Sequence, residues 1–585
     1  MNSSTDPANG IPRVSGGGAY DADVIIVGLG PVGLTLANLL GQAGVRVIVL
    51  EREPVPYRLP RAVGVDDEAM RIFQSVDLDR ELADKMILDV TAQFVLPSGK
   101  LLAAFAPRRS PFFELSSYSF FYQPYLESTL RQGLARFPTV DVRIGYEVTS
   151  VAQDEAGVNV GYRTAVTDPS QTPAEGGLRA RYLVGCDGGR SVVRRECGIT
   201  MTGANYPEPW LVVDLKLQAP LVRHLPYFNF YCDPIRPQLS CPQPDGHHRF
   251  EFMVLPGETK EQLEEMATVR RLISRFVDPD KVEVLRRLVY TFNALTADRW
   301  RDRRVLIAGD AAHMTPQFFG QGMNSGIRDA QNLAWKLELV LAGKAGEGLL
   351  DSYQSERKRH VEEMIAVSLR IGHFISTQQP FKVALRNAAA AVLTSIPPVR
   401  RYITELRFKP KPAYPPGTYV GLPRRRGGGE GLLFIQPTVR SFEGTHVRLD
   451  DACGSGFALL GWGLDPRAAL DRESRTFWSR VGARYVRVYP DMGRPQGEGV
   501  TPEVDPDLPE VEDIRGEVGA WIRRYAGRRA LSRGVVVVLR PDRYVFAVAE
   551  GEQLATITAE ARAQLGRGRA EEVRFEAHGQ VRCSA

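Results

Sequence analysis

Cysteine is scarce in this chain: six residues in 585, no two of them in a CxxC spacing. Such usage requires neither a disulfide framework nor a zinc site and fits a reducing cytoplasm. Long apolar runs are missing too. The early run Val24–Val27 is too short for the core of a secretory signal, and no later run approaches a membrane span. Net charge is small, since 74 Lys and Arg against 69 Asp and Glu leave +5. No basic stretch is interleaved with aromatics, so nothing suggests a nucleic-acid footprint. The eight histidines lack metal-ligand spacing. His247 and His248 are adjacent and would point to opposite faces of a strand, and His313 has no second ligand at a recognisable interval. No metal site is expected, and no internal repeat is visible.

Glycine, by contrast, is plentiful, and it concentrates in three stretches. The first is VIIVGLGPVGLTLANLLGQAGVRVIVLERE, from Val24 to Glu53. Its apolar start reads as a buried strand, and Gly28, Gly30 and Gly33 open an apolar periodic helix. Gly28 permits a tight turn, Gly30 lets the backbone approach a pyrophosphate, and Gly33 lets the helix pack close to the strand. The helix N-terminus offers unpaired amides to phosphate. A second strand ends in Glu51, placed to bond the ribose hydroxyls of an adenosine and unsuited to a 2′-phosphate. The second stretch is YLVGCDGGRSVVRR, Tyr182 to Arg195.

The third, RRVLIAGDAAHMTPQFFGQGMNSGIRDA from Arg303 to Ala330, points to FAD rather than NAD. A short strand delivers Asp310, whose carboxylate can hold a ribitol or ribose hydroxyl, although a helix cap is the plainer role for such a residue. A cap leaves Pro316 and the run Gly320–Asn324 unexplained. Gly320 and Gly322 allow close approach of a ligand. The helix beginning near Met323 would direct its first amides, with Asn324, at the flavin pyrimidine, where negative charge appears on reduction.

The middle stretch, with Asp187, Gly188, Arg190, Ser191 and Arg194, resembles the DG motif of the single-component (group A) FAD-dependent aromatic hydroxylases, and Arg303–Pro316 resembles their GD motif. The resemblance spans roughly residues 22–375 and takes in LPRAVGVDDEAMR (Leu59–Arg71) and FYQPYLE (Phe121–Glu127). It is nearest to 3-(3-hydroxyphenyl)propionate hydroxylases and polyketide hydroxylases. By this resemblance Arg61 lies near the flavin and incoming nicotinamide, Gln123 contacts the cofactor, and Asp187 takes part in FAD and NAD(P)H binding. Read singly, the three are an ion-pairing arginine, a polar residue before a helix and a turn former.

The expected fold is α/β: a Rossmann-like FAD-binding domain (21–205 and 290–408, with a helical extension), an inserted antiparallel-sheet substrate domain (206–289) and a thioredoxin-like C-terminal domain (432–585). A linker at 409–431 is rich in Pro and Gly, and residues 1–20 read as disordered. Trp210–Leu217, Pro226–Asp233 and His248–Leu255 read as strands of the insert. Period 2 puts Tyr227 and Tyr231 on one face, Phe228 and Phe230 on the other. The C-terminal domain lacks a redox CxxC, so it is expected to be structural or to form a homodimer contact.

The resemblance implies hydroxylation of a phenolic or polycyclic aromatic substrate through a flavin C4a-hydroperoxide, with NADPH or NADH as transient co-substrate and O2 as oxidant. A single dinucleotide-binding unit suits a nicotinamide that binds and leaves. The same FAD-binding stretches also occur in oxidases, dehydrogenases and reductases, and a non-catalytic flavin protein is a third reading. No GWxWxIP run points to halogenation. Activation of a phenol calls for a base or hydrogen-bond acceptor. Tyr227, Tyr231, His224 and His313 are the candidates, each with core or surface packing as its plainer role.

Overall fold

Ala22–Val27 (β1), Pro31–Gln42 (α1) and Val47–Glu51 (β2) form the strand–helix–strand unit that the first glycine stretch predicts. The computed structural model describes residues 20–55, 59–105, 109–110, 112–165, 173–205, 208–218, 227–491, 505 and 507–568. The expected disordered N-terminus falls almost wholly outside that range, as does His224.

β1 lies inside a sheet ordered Arg301–Asp302, Val305–Ile307, Glu175–Gly185, β1, β2, Val140–Ile144. The antiparallel pair Tyr146–Gln153 and Val158–Thr164 extends from Glu175–Gly185. The pairings of β1 with β2 and with Glu175–Gly185 are parallel, and β1, β2 and the last four residues of Glu175–Gly185 are mostly apolar, as a sheet covered on both faces requires. Val27 is in register with Gly185, and Gly185 with Ile307. The three glycine-rich turns therefore leave the sheet at one edge, the carboxyl ends of parallel strands, where open α/β sheets bind ligands.

A second sheet of seven strands covers that edge. Its order is Val282–Tyr290, Trp210–Leu217, His247–Met253, Gln238–Pro242, Phe228–Tyr231, Ala92–Val95, Leu101–Phe105. The expected insert supplies five strands, and the last two come from well before it. Phe228–Tyr231 pairs with Ala92–Val95 in parallel, so the sheet is mixed rather than antiparallel throughout. Phe228 and Phe230 pack toward the FAD domain, while Tyr231 packs on the far side against Phe276.

Helices Gly322–Leu341, Ser352–Ile375 and Pro380–Ser395 follow. Pro380–Ser395 ends just ahead of Pro397 and Pro398, which begin a separate short helix, Pro397–Thr404, because proline suits a helix's first turn. The linker has no regular element, yet it is packed: Tyr414 and Tyr419 are buried, and Tyr414 stacks on Tyr544 at 4.1 Å. Beyond it, a third sheet is ordered His446–Arg448, Thr438–Ser441, Glu510–Asp513, Arg484–Pro490, Ala458–Trp462, Val535–Leu539, Val545–Ala549.

Buried ion pairs join this last unit to the FAD domain. Arg71 forks onto Asp450 at 2.7 and 2.8 Å. Arg540 forks onto Glu356 at 2.7 and 2.8 Å, and Lys336 reaches the same carboxylate at 2.8 Å. Burial alone would raise the Glu356 carboxyl, but Arg540 and Lys336 hold it down to about 2. Removing one partner of such a pair strands the other charge away from water. We expect Arg540→Ala to destabilise the protein by about 3–5 kcal/mol in denaturant titrations. Because the Glu356 carboxyl is depressed when folded, its contribution is complete above the ordinary carboxylate range and is lost as pH falls toward about 2. Acid unfolding of Glu356→Gln should accordingly be less steep across that window than that of the parent protein.

Candidate active site

The first turn allows little but glycine. Gly28 has φ of +101°, and a Cβ there would lie 2.5 Å from the Cys186 carbonyl oxygen. A Cβ on Gly33 would sit 2.0 Å from the oxygen of Gly28, so Gly33 is a packing residue behind the turn. At Gly30 a Cβ would meet nothing within 4 Å. It faces a cavity of about 560 Å³ that runs from the end of β2 to the second sheet. α1 has no side-chain cap, and its first amide bonded back is that of Leu34, to Gly30 O at 2.9 Å. The amides ahead of it stay available to an anion. Glu51 closes this end: Oε2 accepts from Leu29 N at 2.8 Å and Oε1 from Glu53 N at 2.9 Å. The lone pairs that remain face the cavity, which Glu51 lines.

Asp187 also lines the cavity, but its carboxylate is engaged at the start of helix Val192–Glu196. Oδ1 accepts from Ser191 Oγ at 2.6 Å, and Oδ2 from Val192 N and Val193 N at 2.7 and 3.2 Å. Desolvation lifts its carboxyl above the ordinary range, against those hydrogen bonds. Arg194 then joins this turn to the third one, donating to Gly189 O at 2.8 Å and Ala311 O at 3.1 Å.

In the third turn Asp310 is exposed, and what it is exposed to is the cavity. Protein surrounds it closely enough that desolvation raises its carboxyl, while His313 and Arg61 pull it down. His313 itself is fully buried, with Nε2 2.6 Å from Asp329 Oδ2. It braces the turn from behind and does not line the cavity, which removes it as a candidate for substrate activation. Gly320 has φ of +60°, with the Tyr118 hydroxyl 2.1 Å from where a Cβ would be. Helix Gly322–Leu341 starts without a side-chain cap, and Ser325 N is its first amide bonded back, to Gln321 O at 2.8 Å. Gly322 and Met323 line the cavity at this open helix end. Pro316 and Asn324 stand behind it. Asn324 uses its whole carboxamide on Asp66 N, Gly64 O and Gly320 O.

The segment carrying Arg61 is gripped from two sides. Gln123 Oε1 accepts from Arg61 N at 2.6 Å and Ala62 N at 2.8 Å, and its amide donates to Glu127 at 2.7 Å. Arg249, on the second sheet, donates to Arg61 O at 2.8 Å and to Pro60 O, which Arg286 also reaches. Both arginines pair with Asp214, at 2.7 and 2.6 Å.

The second sheet closes the cavity with Phe228, Leu239, Cys241, Arg249 and Glu251. Tyr227 is 41 % exposed and Tyr231 faces the opposite side of the sheet; neither lines the cavity, so neither is placed to activate a substrate in it. Sequence reasoning missed Arg249 and Glu251. The signal lay in HRFEFM, His248 to Met253, where charges alternate with aromatics. In a strand buried on both faces, that alternation marks a polar site rather than a solvated face.

The glycine cradle, the two uncapped helix starts and the carboxylates at Glu51 and Asp310 fit a dinucleotide with a flavin ring toward the second sheet. A family model described as FAD binding domain matches residues 21–368, and one described as HcaD C-terminal domain matches 431–564. The 3-(3-hydroxy-phenyl)propionate/3-hydroxycinnamic acid hydroxylase of Klebsiella pneumoniae subsp. pneumoniae is 39% identical over 544 residues, covering 92% of this chain and 94% of that one. Its counterpart in Comamonas testosteroni is 38% identical over 586 residues, covering 92% and 96%. Among solved structures, aklavinone-11 hydroxylase with FAD and aklavinone superposes with a TM-score of 0.72 at 23% identity, over 94% of this chain and all of that one. Anhydrotetracycline hydroxylase from Streptomyces rimosus gives 0.69 at 25%, with the same coverage. The chain belongs to the FAD-binding family of flavoprotein aromatic hydroxylases.

Proposed function

We propose that this protein is an FAD-dependent monooxygenase that uses NAD(P)H and O2 to hydroxylate a phenolic substrate. One observation carries the reading: a single cavity joins the three glycine-rich turns to a wall of Phe228, Leu239 and Cys241. A flavin held by the turns has its ring at that wall, where an aromatic substrate can lie beside it and bulk water is kept out. Hydroxyphenylpropanoid acids are the favoured substrate class, because the relatives named for them match at 38–39% identity over nearly the whole length, whereas the polyketide hydroxylases match at 23–25%.

Bound in this cavity, FAD would supply the redox chemistry, that is, hydride uptake from the nicotinamide and delivery of one oxygen atom of O2 to the ring. The protein's part is to bind, orient and exclude. Gly28, Gly30 and the start of α1 take the pyrophosphate, Glu51 the adenosine ribose, and Asp310 the ribitol. The amides at Gly322 and Met323 face the pyrimidine and stabilise negative charge there. Gly33, Pro316 and Asn324 shape these turns from behind, while Gln123 lines the cavity and holds the Arg61 segment. Arg61, fixed through its own backbone and lining the cavity, is the cation we assign to the flavin and the entering nicotinamide. Asp187 holds the second turn so that Gly188 and Arg190 face the cavity.

We read the C-terminal unit as a thioredoxin-like fold without thiol chemistry. Ala458–Trp462, helix Arg472–Val481 and Arg484–Pro490 make a parallel crossover, and the hairpin Val535–Leu539, Val545–Ala549 leads into helix Leu554–Leu565. Cys453 is buried, and desolvation pushes its thiol up to about 12, far from a reactive thiolate.

Two measurements follow. Asp310→Ala should weaken FAD binding by about ten- to a hundredfold, the worth of hydrogen bonds to a carboxylate, read as flavin per chain after dialysis. With oxygen-18 gas, NAD(P)H and a hydroxyphenylpropanoid acid, the product should gain one labelled oxygen atom for each nicotinamide consumed. Nicotinamide consumption that yields only hydrogen peroxide with every phenol tried would replace the monooxygenase with an oxidase.

A further inference from the structure

We propose that Glu251 is the base that takes the proton from the substrate's ring hydroxyl, an assignment that rests on the hydroxylase reading above. Glu251 and Arg249 lie on the cavity face of strand His247–Met253, while Phe250 and Phe252 between them pack away into the core on the other side. Glu251 is 3 % exposed and sits beside the apolar surfaces of Phe228, Leu239 and Cys241. One carboxylate oxygen, Oε2, accepts from the side-chain amide of Gln317, in the turn between the GD motif and helix Gly322–Leu341. The other, Oε1, stands 3.9 Å from Arg249 Nη1 and has no hydrogen-bond partner among the described residues. The carboxylate thus bridges the second sheet and the flavin-facing turn, with one oxygen held and one available.

The charges around it explain why Glu251 rather than Arg249 is the reactive group. Asp214 pairs with both Arg249 and Arg286 and offsets one of their two charges; both arginines also donate to the carbonyl of Pro60, and Arg249 to that of Arg61. One positive charge remains beside Glu251, so it is burial, not a lack of cations, that governs its carboxyl. Burial raises its carboxyl to about 7, Asp214 adds to the rise, and Arg249 and Arg286 oppose it. The thiol of Cys241, from the neighbouring strand, is neutral throughout this range, its ionisation pushed well up by burial. A carboxylate with that affinity for protons is matched to general-base work near neutrality.

In the reaction the substrate's O–H bond breaks and its proton binds Glu251 Oε1. The electron pair remains on the ring oxygen and enriches the ring carbons ortho and para to it, one of which takes the oxygen atom. When that carbon then loses its hydrogen as a proton to water, the ring oxygen regains a proton from Glu251, and the released proton balances the one consumed as the second oxygen atom of O2 becomes water. The carboxylate is restored, and the flavin, nicotinamide and O2 already required supply the electrons and the oxygen.

The test compares flavin-loaded wild type, Glu251→Gln and Glu251→Asp, per bound flavin, on 3-(3-hydroxyphenyl)propionate and on a ring-fluorinated analogue that is already ionised at the assay pH. In the wild type, hydroxylation of the plain phenol should fall as pH drops through about 7. Glu251→Gln should lose at least a hundredfold on the plain phenol and lose that acid limb, yet recover to within about tenfold of wild type on the ionised analogue. Glu251→Asp should be slowed but keep the limb. Equal activity of Glu251→Gln and wild type on the plain phenol overturns the assignment, and so does an equal loss on both substrates, which would mark a merely structural residue. A wild type that hydroxylates neither substrate nor any other phenol overturns the functional reading itself.

Discussion

Asp214 holds the active site together. It lies on the inner face of the second sheet and accepts from Arg249 and Arg286, all three almost fully buried. Three charges cost much to take out of water, and a hydrophobic cluster of the same volume would be at least as stable. What the ions add is direction. The same guanidinium groups also donate to Pro60 and Arg61, so the sheet is fastened to the FAD domain through the backbone of the segment that bears Arg61. Gln123 holds the other side of that segment. The distance between flavin and substrate wall is thereby set by hydrogen bonds of fixed length rather than by loose apolar contact.

The C-terminal unit extends the same logic away from the cavity. Glu356 lies on helix Ser352–Ile375 and collects Arg540, Lys336 and Asn332. The preceding helix, Gly322–Leu341, opens at the cavity, and its body is braced at Asn332 and Lys336 by this buried network. His313, Asp329 and Arg357 continue it to the back of the third turn, and Gly309 N donates to Asp329 at 3.2 Å. The turn that presents Asp310 is therefore supported from within the protein, as a binding group must be when its own side chain faces open space.

Much of this was legible in the residues. The strands and glycine turns of the cofactor domain follow from local sterics, because Gly28 and Gly33 stand where a Cβ cannot, and Trp210–Leu217 has the bounds its composition suggests. Pairing between distant segments was not legible. Ala92–Val95 and Leu101–Phe105 join the second sheet across more than a hundred residues, and no local signal announces that partner. Side-chain roles were least legible. His313 had a motif to recommend it, but its bond to Asp329 depends on two segments meeting in space. Glu251 belongs to no motif, and its character comes first from burial, then from Arg249 on its own strand and from Asp214 and Arg286 on others. Gln123 and Asp187 line the cavity, yet their carboxamide and carboxylate oxygens grip backbone amides, a choice that composition does not encode.

The account stands most directly on where the flavin ring and the phenol lie. A crystal structure of the protein with FAD and 3-(3-hydroxyphenyl)propionate should show the pyrophosphate at the start of α1, the pyrimidine at the amides of Gly322 and Met323, and the phenol between the isoalloxazine and the wall of Phe228 and Leu239. A flavin ring turned away from the second sheet, or a phenol bound outside the cavity, would contradict it.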